Sequence, residues 1–360
     1  MILKLLLEKG TAELRRAEVC NPESSANFLM REILGYSRAE VFLNLDREIS
    51  KTEEQKFNSL IIRRAKHEPV WYITGEVEFC DLKLAVDKNV LIPRPETELL
   101  VEKTIEIISN FKLQSSNLKS LPEEALTKVG KKSNVKLEKQ FSERLQRFKH
   151  LEHPHSMRIL DLGTGSGAII LALANRFRVQ NLKLEVENSQ LKPAFSQRFQ
   201  SDTHLQQLDP LQFFASDVSK EALAVAKKNA QNLGLVKDIK FRQGNFFSPW
   251  KGQKFDLIIA NLPYIPHENI AGLSLDIHHW EPRVALDGGK RGLETYKKFF
   301  SKIGKYLSDR GTIIIEIGYD QGSEIKKLVG KYLSEMTIKI DKDYADIDRI
   351  AVIAQRVAGS

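Results

Sequence analysis

From residue 157 onward, short runs of branched apolar residues take turns with helical runs, and that alternation confines the chain to few architectures. Strands are expected at 158–162, 213–216, 239–243, 256–260 and 312–317, with helices such as 220–232 and 293–307 between most of them. Strand–helix–strand alternation of this kind winds into an open, mostly parallel sheet covered by helices on both faces. Two further strands, 337–340 and 350–354, are adjacent in sequence and predict an antiparallel hairpin at one edge.

The first part of the chain reads differently. Residues 1–70 have the spacing of three or four short helices and offer no catalytic group. Asn21-Pro22-Glu23 places proline just inside a helix start, and Thr52 to Gln55 has capping-box spacing, followed by Phe57, Leu60, Ile61 and Ala65 at helical intervals. Residues 71–110 form a connecting region. Tyr72, Thr74 and Glu76, then Leu82, Leu84 and Val86, alternate as two strands do, with Cys80-Asp81 near their turn. Leu91-Ile92-Pro93-Arg94-Pro95-Glu96-Thr97-Glu98 then makes a stiff extended entry into a helix over 99–108, and a segment so pre-set can line a site. Two stretches, 111–156 and 178–212, read as insertions, the second inside a domain that spans 157–360.

The net charge of +8 suggests nucleic acid until its location is counted. Residues 111–156 carry ten Lys or Arg against five Asp or Glu, leaving a surplus of three for the other 314 residues. A basic insert on a near-neutral protein predicts neither a nucleic-acid nor a membrane partner. No apolar run reaches the roughly 18 residues that a membrane span needs. Cys20 and Cys80 fit no metal or redox spacing and read as reduced thiols of a cytoplasmic protein. His150, His153 and His155 have a single acid, Glu152, and no cysteine beside them, and no metal is expected.

The chemistry begins at Asp161-Leu162-Gly163-Thr164-Gly165-Ser166-Gly167, a strand end, a glycine turn and a helix start. Glycine lets a backbone approach a ligand closely, and the helix start supplies N–H groups. A dinucleotide fold favours G-x-G-x-x-G around a pyrophosphate. Here the spacing is G-x-G-x-G behind an acid, Asp161, which suits the sulfonium and amino group of S-adenosylmethionine. Asp217, ending the next strand, is placed to take ribose hydroxyls, and Asn245-Phe246, after the third, to hold adenine.

The fourth strand ends in Asn261-Leu262-Pro263-Tyr264. An amide nitrogen is a poor nucleophile because its lone pair is delocalised, so an enzyme methylating one must hold the NH2 group and draw its hydrogens aside. The Asn261 side-chain oxygen and the Leu262 carbonyl can accept those hydrogens, Pro263 stiffens the turn, and Tyr264 offers an aromatic wall.

At these residues the sequence resembles the protein-(glutamine-N5) methyltransferases of peptide chain release factors. The resemblance also runs through Glu68-Pro69-Val70, Tyr72 to Glu76, Leu91 to Glu98, Glu281 to Gly289, Gly292-Leu293 and Glu316-Ile317-Gly318. It implies a Rossmann-like class I methyltransferase sheet with a small helical N-terminal domain joined by a β-hairpin, the helical part helping to hold the release factor. It implies methyl transfer from S-adenosylmethionine, leaving S-adenosylhomocysteine, to the glutamine of a Gly-Gly-Gln loop. Cofactor contacts are implied at Asp161, Gly163, Thr164, Gly165, Ser166, Gly167, Asp217, Asn245, Phe246 and Asn261. Asn261, Pro263 and Tyr264 are the implied catalytic residues, with Leu262, Arg94 and Glu96 completing the substrate contacts. Leu262 stands where the family most often has a second proline, and Asn245-Phe246 where an acid and a tryptophan are frequent. Asn-Leu-Pro-Tyr is also similar to the acceptor motif of ribosomal RNA adenine methyltransferases, which makes an adenine-N6 amino-methyltransferase of RNA or DNA the alternative. The proline-arginine segment and the confined basic charge favour glutamine.

Overall fold

The computed structural model describes residues 1–119, 156–188 and 211–356, with side chains omitted over 112–119 and 179–188. The histidine triplet and most of the two expected insertions lie outside the described residues. Four helices open the chain: α1 (Leu3–Arg16), α2 (Pro22–Leu34), α3 (Arg38–Leu43) and α4 (Lys51–Arg64). They close around their own core of Leu3, Leu6, Leu14, Leu29, Met30, Phe57 and Ile61. The cap of α4 is Ser50 with Glu53, two residues before the expected Thr52 and Gln55. The Ser50 hydroxyl accepts from Glu53 N, the Glu53 carboxylate accepts from Ser50 N, and that carboxylate also pairs with Arg47 at 2.8 Å. The reciprocal Ser50–Glu53 bonds, with the Arg47 charge added to the Glu53 carboxylate, make the earlier start the stronger one.

The alternation at Tyr72 and Thr74 is not a strand. Those residues lie in a one-turn helix, α5 (Val70–Thr74), bounded by Pro69 and by Gly75 at φ +82°, so the helical unit runs past the expected boundary at residue 70. The hairpin follows as β1 (Glu76–Phe79) and β2 (Leu82–Ala85), paired Val77 to Leu84 and Phe79 to Leu82. α6 (Pro95–Lys119) starts at the second proline of the stiff segment and continues nine residues into the expected insertion.

Seven strands build the main sheet: β3 (Met157–Leu162), β4 (Leu211–Asp217), β5 (Ile239–Gln243), β6 (Phe255–Ala260), β7 (Leu307–Glu316), β8 (Met336–Lys342) and β9 (Asp348–Gln355). Their order is β5-β4-β3-β6-β7-β9-β8. The first five are parallel, β9 runs antiparallel to β7, and β8 forms the edge hairpin with it. Side chains alternate between two cores. Ile159, Leu257 and Ile259 face α6, α7 (Ala168–Asn188) and α8 (Lys220–Asn232), whereas Leu160, Ile258 and Ile313 face α10 (Glu294–Ile303) and α11 (Gly322–Tyr332). On α10, Tyr296, Phe299, Phe300 and Ile303 recur at i, i+3, i+4 and i+7 and are buried. Each contributes roughly 1.5–3 kcal/mol of apolar burial. α7 continues to Asn188, well into the stretch expected as the second insertion. Among the described residues no helix is long and apolar enough to cross a membrane.

The strand order reverses at β3, which lies between β4 and β6. The crevice at the carboxyl ends of β3 and β6 is therefore the switch point where open α/β sheets bind ligands. Two sets of contacts mount other parts of the chain on it. Arg64, buried in α4, bonds Ser25 Oγ, the Glu68 carbonyl and, at 2.7 Å, Asp276 in α9 (Leu275–Trp280), while the Trp280 indole donates to Lys66 O. Asn229 of α8 accepts from Ala85 N at 2.7 Å and donates to Ala85 O and Ser166 O, joining the hairpin to the glycine turn. Asn229→Ala leaves three backbone groups unpaired, with an expected loss of about 2–3 kcal/mol. Urea titration checks it: the midpoint should drop while the slope stays constant.

Candidate functional site

β3 delivers Asp161 to its carboxyl end, and the chain then turns through Gly163 and Gly165 at φ +77° and +56°. A Cβ built on either meets no atom within 4 Å, so both face open space where a ligand fits. Gly167 serves differently, because a Cβ there would press on Leu171 at 2.8 Å. Four amides of this turn are already engaged, Gly167 N with Thr164 O at 2.8 Å among them. Gly163 N and Thr164 N donate to Ser216 O, and Gly165 N to the Asp217 carboxylate at 2.9 Å. A turn so engaged offers little of the free N–H nest that a pyrophosphate demands.

Asp161 is wholly buried. Its Oδ2 accepts from the Thr164 hydroxyl at 2.6 Å, whereas Oδ1 lacks a well-formed hydrogen bond, although the Ile170 amide is near enough to help. Burial pushes its carboxyl up to about 7, against the Thr164 bond and with the Asp217 charge adding to the rise. Asp217 is likewise raised by burial, opposed by the amides of Ser219, Gly165 and Val218. One buried and one half-buried carboxylate around a glycine turn with open space suit a ligand carrying positive charge and hydroxyls. S-adenosylmethionine, with its sulfonium, amino group and ribose, fits that donor set. Ser166 is buried and gives its carbonyl to Asn229, so its place is in the turn's support. Asn245 is exposed, and Phe246 holds φ +50° with the Lys302 ammonium 5.7 Å from its ring centroid.

Across the switch point, Asn261 directly follows the end of β6. Its Nδ2 lies 2.9 Å from Glu316 Oε2 and 3.1 Å from Thr97 Oγ1, and the Thr97 hydroxyl donates to the same Glu316 oxygen at 2.7 Å. The Tyr264 hydroxyl donates to Glu316 Oε1 at 3.2 Å. Burial raises the Glu316 carboxyl, against the Thr97 bond, the Arg349 charge and the Tyr264 bond. Burial, with the Glu316 charge, raises the Tyr264 phenol. Leu262 is buried, and the loop after it is held by its carbonyls: Tyr264 O accepts from Gln321 Nε2 at 3.0 Å, and Pro263 O packs on Gly288.

The stiff segment reaches this place through Thr97. Arg94 is paired with the buried Glu281, which also accepts from Ile92 N at 3.3 Å, and Glu96 is exposed beside it. Thr97, Glu316, Gln321 and Asn229 carried no expected role. The signal available for Glu316 was a carboxylate closing a run of buried isoleucines, the same pattern that marks Asp161 and Asn261.

Comparison with known proteins adds family to geometry. Residues 6–75 match the family model described as PrmC N-terminal domain, and residues 153–339 match a methyltransferase domain model. A release factor glutamine methyltransferase of Moorella thermoacetica is 30% identical over 359 residues, 99% of both chains. One of Haemophilus influenzae is 31% identical, covering 92% of this chain and 91% of its own. A bifunctional methyltransferase of Rickettsia bellii is 29% identical over 91% of this chain, which spans only half of that longer protein.

Proposed function

Because the chain belongs to the release factor glutamine methyltransferases, enzymes dependent on S-adenosylmethionine, we propose that it methylates the side-chain amide nitrogen, N5, of the glutamine in the Gly-Gly-Gln loop of class I peptide chain release factors. The observation that carries this reading is Asn261, directly after β6 at the switch point, where β6 neighbours β3 and its glycine turn. Asp161, the turn from Gly163 to Gly167, Asp217 and Asn245-Phe246 would hold the cofactor. When bound, S-adenosylmethionine supplies an electrophilic methyl group on its sulfonium.

The chain's own residues then perform positioning. Asn261 Oδ1 accepts one hydrogen of the substrate amide and the Leu262 carbonyl accepts the other, which turns the nitrogen lone pair toward the methyl. Pro263 fixes the turn and Tyr264 walls the pocket. The nitrogen sheds a proton as the new bond forms, so no strong base has to act first. The helical unit over residues 1–70 takes the body of the release factor, and Arg94 and Glu96 border its loop.

The titration of Asp161 gives a pH test. Its carboxylate is protonated below about 7 and ionised above, so affinity for the cationic cofactor is expected to rise about tenfold from roughly pH 6 to 8. Calorimetry across that range checks it, and Asp161→Asn should bind more weakly with a flat profile. The same group acts oppositely on the fold. It stays protonated in the native state when the unfolded chain has ionised near 3.8, so its contribution to stability declines as pH rises toward 7.

Peptide mass spectrometry of an unmodified release factor incubated with the protein and S-adenosylmethionine tests the reaction. One methyl group on the Gly-Gly-Gln glutamine is expected. Incorporation into ribosomal RNA or DNA instead would replace this reading with the adenine one.

A further inference from the structure

We propose that Glu316 is a positioning residue that sets the polarity of the acceptor pocket, making it admit a side-chain amide and turn away a carboxylate. The argument rests on Asn261 to Tyr264 being that pocket, and it starts from hydrogens. The Thr97 hydroxyl has one hydrogen and gives it to Glu316 Oε2, so toward Asn261 it can only accept. An ionised Glu316 can only accept as well. The Asn261 atom facing both must therefore be Nδ2, at 2.9 and 3.1 Å, because an oxygen placed there would meet lone pairs on two sides.

With both Nδ2 hydrogens committed, the group left for the pocket is Oδ1, an acceptor. Flipping the Asn261 amide would break two hydrogen bonds and bring its oxygen against a buried carboxylate. A glutamine amide brings two N–H donors to such a pocket, whereas a glutamate carboxylate brings none. The hydrogens of Thr97, Asn261 and Tyr264 all point at the Glu316 oxygens and favour the ionised form, whose charge, one asparagine side chain away, further opposes a second carboxylate. Tyr264, on the other carboxylate oxygen, ties the pocket wall to the same group. Thr97 enters from the first turn of α6, which gives the proline-arginine segment a function at the site: it delivers one of the two acceptors.

The test uses the full chain, a release factor with its target glutamine, and the same factor with glutamate there as inhibitor. Wild-type methylation of the glutamine is established first; if it is absent, the pocket reading fails on its own. Glu316→Leu is expected to lower kcat about 30-fold or more with KM for S-adenosylmethionine within about threefold. It should also shrink the preference for glutamine over glutamate, read as KM against Ki, by about tenfold. Glu316→Gln should restore kcat to within about threefold, because its amide oxygen can take the place of Oε2 and its NH2 can donate to Tyr264. If Glu316→Leu does not fold, Thr97→Val stands in, with an expected kcat loss of about fivefold and a smaller shift in preference. Unchanged kcat, or reduced kcat with an unchanged glutamine-to-glutamate preference, would overturn the proposal.

Discussion

Replacing Asn261 with alanine is expected to lower the rate of methyl transfer at least about 100-fold, because one oxygen both orients the substrate nitrogen and accepts its hydrogen. The fold should survive. Glu316 keeps its bonds from Thr97 and Tyr264, so the cost in stability is that of one weakened buried network, about 1–2 kcal/mol. Initial rates with the release factor, beside thermal unfolding of the same preparation, separate the two effects. A variant that unfolds normally and still transfers methyl at near the wild-type rate would remove Asn261 from the reaction.

Gly292→Ala strikes the same loop from behind. Gly292 is buried at φ +69°, and a Cβ there would sit 2.0 Å from Tyr264 O and 2.6 Å from Gln321 Nε2. Neither atom can yield freely, since Gln321 Nε2 donates to Tyr264 O and Gly318 N donates to Gln321 Oε1. The acceptor loop must move, with a loss of about 3–5 kcal/mol from clash and left-handed strain together. Turnover is expected to fall about 100-fold, whereas cofactor affinity, centred on the β3 turn, should change little. Denaturant unfolding and calorimetry with S-adenosylmethionine read these separately, and a stable, fully active variant would show that the loop is softer than its packing implies.

Much of the sheet was legible because buried parallel strands write themselves as apolar runs. β5 and α8 occupy the expected 239–243 and 220–232. β7 starts five residues early, at Leu307, because the polar stretch Ser308-Asp309-Arg310 and Gly311 hides its first part. Tyr72 and Thr74 misled because an alternation of two is also compatible with a single helical turn, and the better signals were Pro69 before it and Gly75 after. At the site, the residues that interrupt apolar runs at strand ends stood out: Asp161, Asp217 and Asn261. Their partners did not. Thr97 and Glu316 are 219 positions apart, and nothing local in either segment encodes the meeting. Arg94 illustrates the converse, a residue conspicuous in sequence whose guanidinium is occupied by Glu281.

The routes by which α6 and α7 leave the site carry a further meaning. Both helices begin beside the ligand crevice, α6 with Thr97 in its first turn and α7 just after the glycine turn, and the strands that follow them in sequence, β3 and β4, start at the opposite rim of the sheet. In sequence, residues 120–155 fall between α6 and β3, and residues 189–210 between α7 and β4. Length added between a helix and the next strand costs little, because loop-closure entropy grows only slowly with length. Lineages can therefore lengthen, recharge or trim these two joints while the chemistry a sheet-length away stays in register.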